Sequence, residues 1–190
     1  MYPIARGSAP LLVTLGAALF AGELPDDLGL AGIALISLGI VALAIGKHRA
    51  DTRSIFAALA AGAFIASYMV VDGLGVRLAG SVMGYAAWQA AMAGFMIPLT
   101  FYAIRRRAPS LPRGKEGVMI VAAGILSTLG YCIAIWAMSM STMGGVSAIR
   151  ETSILFAALI GIIVLRERMT VQKVLAAIII TTGVISLSVG

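Results

Sequence analysis

Arg150 and Glu151 interrupt an otherwise apolar stretch, a few residues after Gly144-Gly145 and directly before Thr-Ser-Ile-Leu-Phe. Arg6 stands in a similar setting near the start of the chain, and Asp72 closes the run Tyr68-Met-Val-Val-Asp. Charged groups within hydrocarbon are expensive, so each is a candidate for binding or for proton movement. If Arg150 opens a helix after the flexible glycines, unpaired N–H groups and a positive dipole end add to its charge, and the place attracts a carboxylate or phosphate. Glu151 would then tune that arginine or exchange a proton. Asp72, one helical turn after Tyr68, suits a proton-accepting carboxylate or a substrate contact. Plainer alternatives stand beside these: Arg150 and Glu151 pairing with other helices to fix the fold, and Asp72 capping or pairing with Arg77 near the membrane interface.

Uncharged candidates gather on the helix expected over 80–104, which has two distinct stripes. Tyr85, Trp88, Gln89, Met92 and Met96 form one, and a buried glutamine amide among aromatic rings needs polar partners, such as those of a wet cavity or a neighbouring side chain. Gly80, Gly84, Ala87, Ala91 and Gly94 form the other, a surface along which another helix backbone can approach closely. Pro98 provides a bending point. On the next helix Tyr131 is expected to face the cavity, near Ser127 and Thr128, with Trp136 at an interface. Glu23 and Glu167 fall in turns, where capping a connector or clasping basic neighbours is the expected role.

The elements that must hold these side chains follow from composition. Apolar residues make up 61% of the chain and charged residues 12%, with a mean hydropathy of +1.03, which no soluble domain could clothe. Apolar stretches recur at 8–22, 28–46, 54–76, 80–104, 117–139, 144–165 and 171–189. Each approaches the roughly 20 helical residues that cross about 30 Å of hydrocarbon. They lack the alternation of a barrel and must satisfy their own backbone polar groups, so the fold class is an all-α integral membrane protein with about seven transmembrane helices.

The chain also repeats itself. An offset of 144 positions pairs Arg6 with Arg150, Leu11 with Leu155, Leu15 with Leu159, Glu23 with Glu167, Ile36 with Ile180, Gly39 with Gly183 and Leu43 with Leu187. The first copy's turn is acidic, Glu23-Leu-Pro-Asp26-Asp27, and the second's is basic, Arg166 to Lys173, so the two turns should face opposite sides of the membrane. Residues 1–50 then read as the last two helices of a first repeat and 51–190 as a second repeat of five. By this register a full first copy needs about 90 residues, or three helices, before Met1. The expectation is part of a ten-helix, five-plus-five inverted-repeat transporter fold. Basic connectors at 47–53, 104–116 and 166–173 share a side with Arg6, which puts them in the cytoplasm and the C-terminus outside.

Other classes lose support. The +6 charge is confined to connectors and reads as topology, not as a nucleic-acid surface. Cys132 is the one cysteine and packs as a small apolar residue; no metal site or cofactor is expected. His48 and Asp51 have a weak spacing that loop solvation explains. There is no Walker, His-Glu-x-x-His or serine-elbow motif, and the last helix has only Lys173, at its very beginning, where a buried retinal lysine is needed. Arg6 before an apolar run resembles a secretory signal, but the same pattern recurs at 150–167, where no signal can be.

The stretches YPIARGSAPLLV, AGE after the first helix, SYMVVDGLGVR and GGVSAIRETSILFAALIGIIVLRER resemble the EamA-type branch of the drug/metabolite transporter superfamily over essentially the whole chain. The resemblance implies two inverted five-helix bundles around a central cavity and movement of small metabolites without a nucleotide-driven motor. It also implies both termini inside, against the charge count. The expected function is a secondary transporter, or permease, in the cell (inner or plasma) membrane, moving a small metabolite or drug-like compound by alternating access, with proton coupling through Asp72 or Glu151. The competing reading is an incomplete or non-transporting membrane subunit that packs with a partner membrane protein or forms a homo-oligomer through the small-residue stripe.

Overall fold

The computed structural model describes residues 2–43, 51–107, 114–164, 166 and 170–189. Lys47, His48, Arg49, Arg113, Glu167 and Arg168 lie outside the described residues. The described elements are all helical: α1 (Tyr2–Ala21), α2 (Asp27–Ala42), α3 (Thr52–Leu78), α4 (Val82–Arg105), α5 (Lys115–Met140), α6 (Met143–Glu151), α7 (Ser153–Val164) and α8 (Val171–Val189). Six spans are long and apolar enough to cross a membrane, with α6 and α7 together making one of them, and α2 is a shorter apolar helix. The protein is a multi-pass, all-α membrane protein.

The single helix expected over 144–165 is interrupted at Thr152. The Thr152 N–H and its Oγ1 both donate to the Ile149 carbonyl, at 3.0 and 2.6 Å. That side-chain bond tightens the turn and competes with the helical ladder, so α6 ends one residue earlier and α7 starts one residue later. Gly80, expected in the small-residue stripe, lies outside α4 with φ +66°, and Ser81 caps α4 by accepting from the Gly84 N–H at 3.1 Å. Gly94, farther along that stripe, has nothing within 4 Å of where a Cβ would stand. Among the described residues the stripe is therefore no helix seam, because side-chain period fixes a face but not what covers it.

The chain forms two compact units, residues 1–72 with 141–190 and residues 73–140, the division falling within α3. The first holds the apolar core: Ile33, Ile36 and Ile40 of α2, Ala148 of α6 and Ile180 of α8. Asp26 starts α2 by accepting from the Gly29 N–H at 3.1 Å. α2 and α8 run antiparallel at backbone contact. A Cβ on Gly32 would stand 2.6 Å from the Gly183 carbonyl; one on Gly183 would stand 2.8 Å from both the Gly32 carbonyl and Ile36; one on Gly39 would stand 2.6 Å from Ile180 and 3.3 Å from the Ala176 carbonyl. Without water to drive helices together, close backbone approach of this kind supplies dispersion contact. At the two ends of the pair Gln172 donates to the Ala42 carbonyl and Ser186 to the Leu28 carbonyl.

Candidate functional site

Helix α6 is wedged against α1 by small residues. The missing Cβ of Gly144 leaves room for the Thr14 side chain and for Ile33. Thr14 in turn returns its hydroxyl to the Pro10 carbonyl at 2.8 Å, stiffening α1 where Pro10 has no N–H to give. Ser147 Oγ, fully buried, donates to Met69 Sδ of α3 at 3.7 Å. Thr142, the residue before α6, supplies no side-chain cap. Glu23 from the α1–α2 turn takes that role, accepting from the Met143 N–H at 2.8 Å and setting a carboxylate at the positive end of the helix dipole. Glu23→Ala should therefore cost about 1 kcal/mol, within the roughly 0.5–2 kcal/mol of a lost cap, read from unfolding in detergent; a change under a few tenths would mean that α6 needs no cap from that turn.

At the far end of α6 stands the ion pair that organises the site. Arg6 Nη1 donates to Glu151 Oε1 at 2.9 Å, with side-chain exposures of 29% and 2% respectively. The second carboxylate oxygen, Oε2, is buried and meets no donor among the described residues. Ser37 Oγ on α2 is likewise buried without a partner among them, and the Ser37 carbonyl faces Gly7, the neighbour of Arg6. The expectation that Arg150 and Glu151 open a helix is corrected here: α6 begins at Met143, and the two residues close it. Gly144-Gly145 serves close packing inside the helix and not a loose joint ahead of it. The dipole end beside Arg150 is thus the negative one, so any pull on an anion there comes from the guanidinium charges.

The remaining candidates fall as follows. Asp72 is buried in α3, well before its end at Leu78, while Tyr68 one turn earlier is 41% exposed. In the second unit Gln89 Nε2 donates to the Tyr131 hydroxyl at 2.9 Å, joining α4 to α5 beside a groove of about 590 Å³ lined in part by Ala86, Gly94, Pro98 and Ser127. The Tyr85 ring fills the space left by Gly75, a packing role. Trp88 is 68% exposed and lines no part of that groove. Arg77 Nε donates to the Met138 carbonyl at 3.0 Å, tying the end of α3 to the end of α5. Sequence reasoning did not single out Thr14, Ser37, Met69 or Ser147. The spacing Pro10-x-x-x-Thr14 was the one available signal, since a threonine four residues on can reach the proline carbonyl.

Residues 52–189 match the family model of the EamA-like transporters. The chain belongs to the EamA-like transporter family. No curated protein and no solved structure matches it. The matched span contains Tyr68, Asp72, Tyr85, Trp88, Gln89, Tyr131, Arg150 and Glu151, while Arg6 precedes it. The Arg6–Glu151 pair therefore ties the family's matched segment to the hairpin that comes before it. EamA-like proteins are membrane transporters, and the sequence reading of an EamA-type, multi-pass membrane chain agrees with this assignment.

Proposed function

We propose that this EamA-like protein is a secondary transporter of the cell membrane that moves a small, amphipathic metabolite bearing an anionic group, by alternating access between two inverted repeats. The observation that carries the reading is the Arg6–Glu151 pair, its glutamate fully buried and its arginine partly so, between α1 and α6 inside an apolar helix bundle. Ionisable groups at such depth are retained for pathways and coupling far more often than for stability. Arg150 is the repeat mate of Arg6, so each repeat brings one guanidinium for a carboxylate or phosphate. Asp72 and Glu151 are the candidates for proton coupling. Tyr68, Gln89 and Tyr131 are the candidates for the substrate's apolar and hydrogen-bonding parts.

The α2–α8 contact supports the inverted repeat. The offset of 144 maps Gly32 to Ala176, Ile36 to Ile180 and Gly39 to Gly183. Gly32 touches Gly183 as Gly39 touches Ala176, and Ile36 touches Gly183 as Ile180 touches Gly39. Contacts that exchange partners in this way, between antiparallel helices, are those of a two-fold axis lying across the helices.

The test is uptake of a labelled metabolite mixture into proteoliposomes. Arg150→Ala and Asp72→Asn should each lower uptake about tenfold or more, equivalent to about 1.4 kcal/mol of binding or coupling, while insertion and helical content are kept. Full uptake by both variants would end these assignments.

A further inference from the structure

We propose that Glu151 is an internal competitor for Arg6: it holds the guanidinium until it takes up one proton, and Arg6 then passes to the carboxylate of the incoming molecule. One proton thereby accompanies one carboxylate-bearing substrate. This rests on the transporter reading and deepens it by naming the substrate group and the coupling ratio.

Three features of the pair carry the inference. Arg6 Nη1 donates to Glu151 Oε1 at 2.9 Å and Oε2 takes no bond among the described residues, whereas a bidentate guanidinium–carboxylate pair engages both oxygens. Glu151 Oε2 is buried without a donor among the described residues, a costly state for half of a carboxylate. A proton on that oxygen turns the orphan acceptor into a donor, and Ser37 Oγ, a second buried oxygen without a partner among the described residues, lies on α2, whose Ser37 carbonyl faces Gly7.

Burial is also lopsided. Arg6 is 29% exposed and Glu151 2%, so the arginine keeps an open side for an incoming anion while the glutamate has room for little more than a proton. The charges around Glu151 fit an exchange. Arg6 faces it from α1 and Arg150 adjoins it on α6; α7 carries no ionisable side chain, and α2 none beyond Asp27 at its start. Met69 of α3 meets α6 at Ser147, and α3 brings Arg53, Tyr68 and Asp72 to this unit. Protonating Glu151 removes one negative charge from beside Arg6 and Arg150, and a substrate carboxylate restores it in a medium of low dielectric. In the step, the Oε2–H bond forms, the Arg6 N–H bond to Oε1 breaks, and the same N–H bonds the substrate oxygen.

The experiment uses the chain in lipid nanodiscs with benzoate as probe. Affinity is measured over a pH series, and proton uptake is followed with an indicator dye in weak buffer. One proton should enter per benzoate bound, and affinity should fall about tenfold per pH unit as pH rises through the range where Glu151 exchanges its proton. Glu151→Gln should bind benzoate at least as well, without proton uptake and without the pH slope; Arg6→Lys, which keeps the charge, should retain both at weaker affinity. Absence of benzoate binding, binding without proton uptake, or an unchanged slope in Glu151→Gln overturns the proposal. Metabolite uptake into proteoliposomes separates the two claims: coupled benzoate binding without flux leaves the exchange standing and ends the transporter reading, while flux with pH-independent binding does the reverse.

Discussion

Arg6→Ala is expected to lower the unfolding free energy by about 3 kcal/mol, the lower end of the roughly 3–5 kcal/mol lost when one partner of a buried ion pair is removed. The lower end applies because Arg6 is 29% exposed and Arg150 adjoins Glu151 on α6, so the carboxylate, 2% exposed, would lose its hydrogen-bonded partner but not every nearby positive charge. The distinction from a surface pair is large enough to decide, since exposed pairs are worth about 0.2–1 kcal/mol. Most of the cost belongs to the stranded carboxylate and not to the lost bond. The double variant Arg6→Ala, Glu151→Gln should therefore recover half or more of the loss, as a neutral amide in the same volume needs no counter-charge. Denaturing-detergent titration followed by circular dichroism, run as a double-mutant cycle, measures both numbers. A single-variant loss under about 1 kcal/mol would mean that the pair is solvated and of surface type.

The spans themselves were legible in the sequence because a run of about 20 apolar residues has few other stable fates. The break in the sixth was not. It depends on whether the Thr152 hydroxyl turns back to the Ile149 carbonyl, which no apolar pattern encodes. The offset of 144 aligned Arg6 with Arg150, but alignment is not contact: Arg6 bonds Glu151, the residue next to Arg150. Gln89 was legible as a polar group in need of partners, and Tyr131 as a side chain facing a cavity. That they satisfy each other depends on how α4 and α5 lie together, which is tertiary information. Gly144-Gly145 reads as a flexible stretch ahead of a helix because glycine has two uses, conformational freedom and absent bulk. Only the neighbouring Thr14 shows which one applies here.

Gly32→Ala and Gly94→Ala should give opposite results although both put a methyl group on a transmembrane helix. At Gly32 the new Cβ would stand 2.6 Å from the Gly183 carbonyl oxygen and 2.9 Å from the Leu187 nitrogen. Both are backbone atoms of α8, which cannot turn aside as a side chain does, so the helices must separate and lose dispersion contact along the seam. A cost of about 1–3 kcal/mol follows, as for other overpacked sites. Gly183→Ala should match it, because its Cβ meets the Gly32 carbonyl from the other side at 2.8 Å. At Gly94 an added Cβ would meet no other element within 4 Å among the described residues, so alanine brings only its better helix propensity, about 0.5–1 kcal/mol of stabilisation. Thermal unfolding in lipid nanodiscs should move down for the first two variants and level or up for the third. Equal losses at Gly32 and Gly94 would require another helix, or a second copy of the chain, to lie against α4 at Gly94. Losses confined to the α2–α8 pair would locate the close backbone packing at that seam and leave α4 open at Gly94.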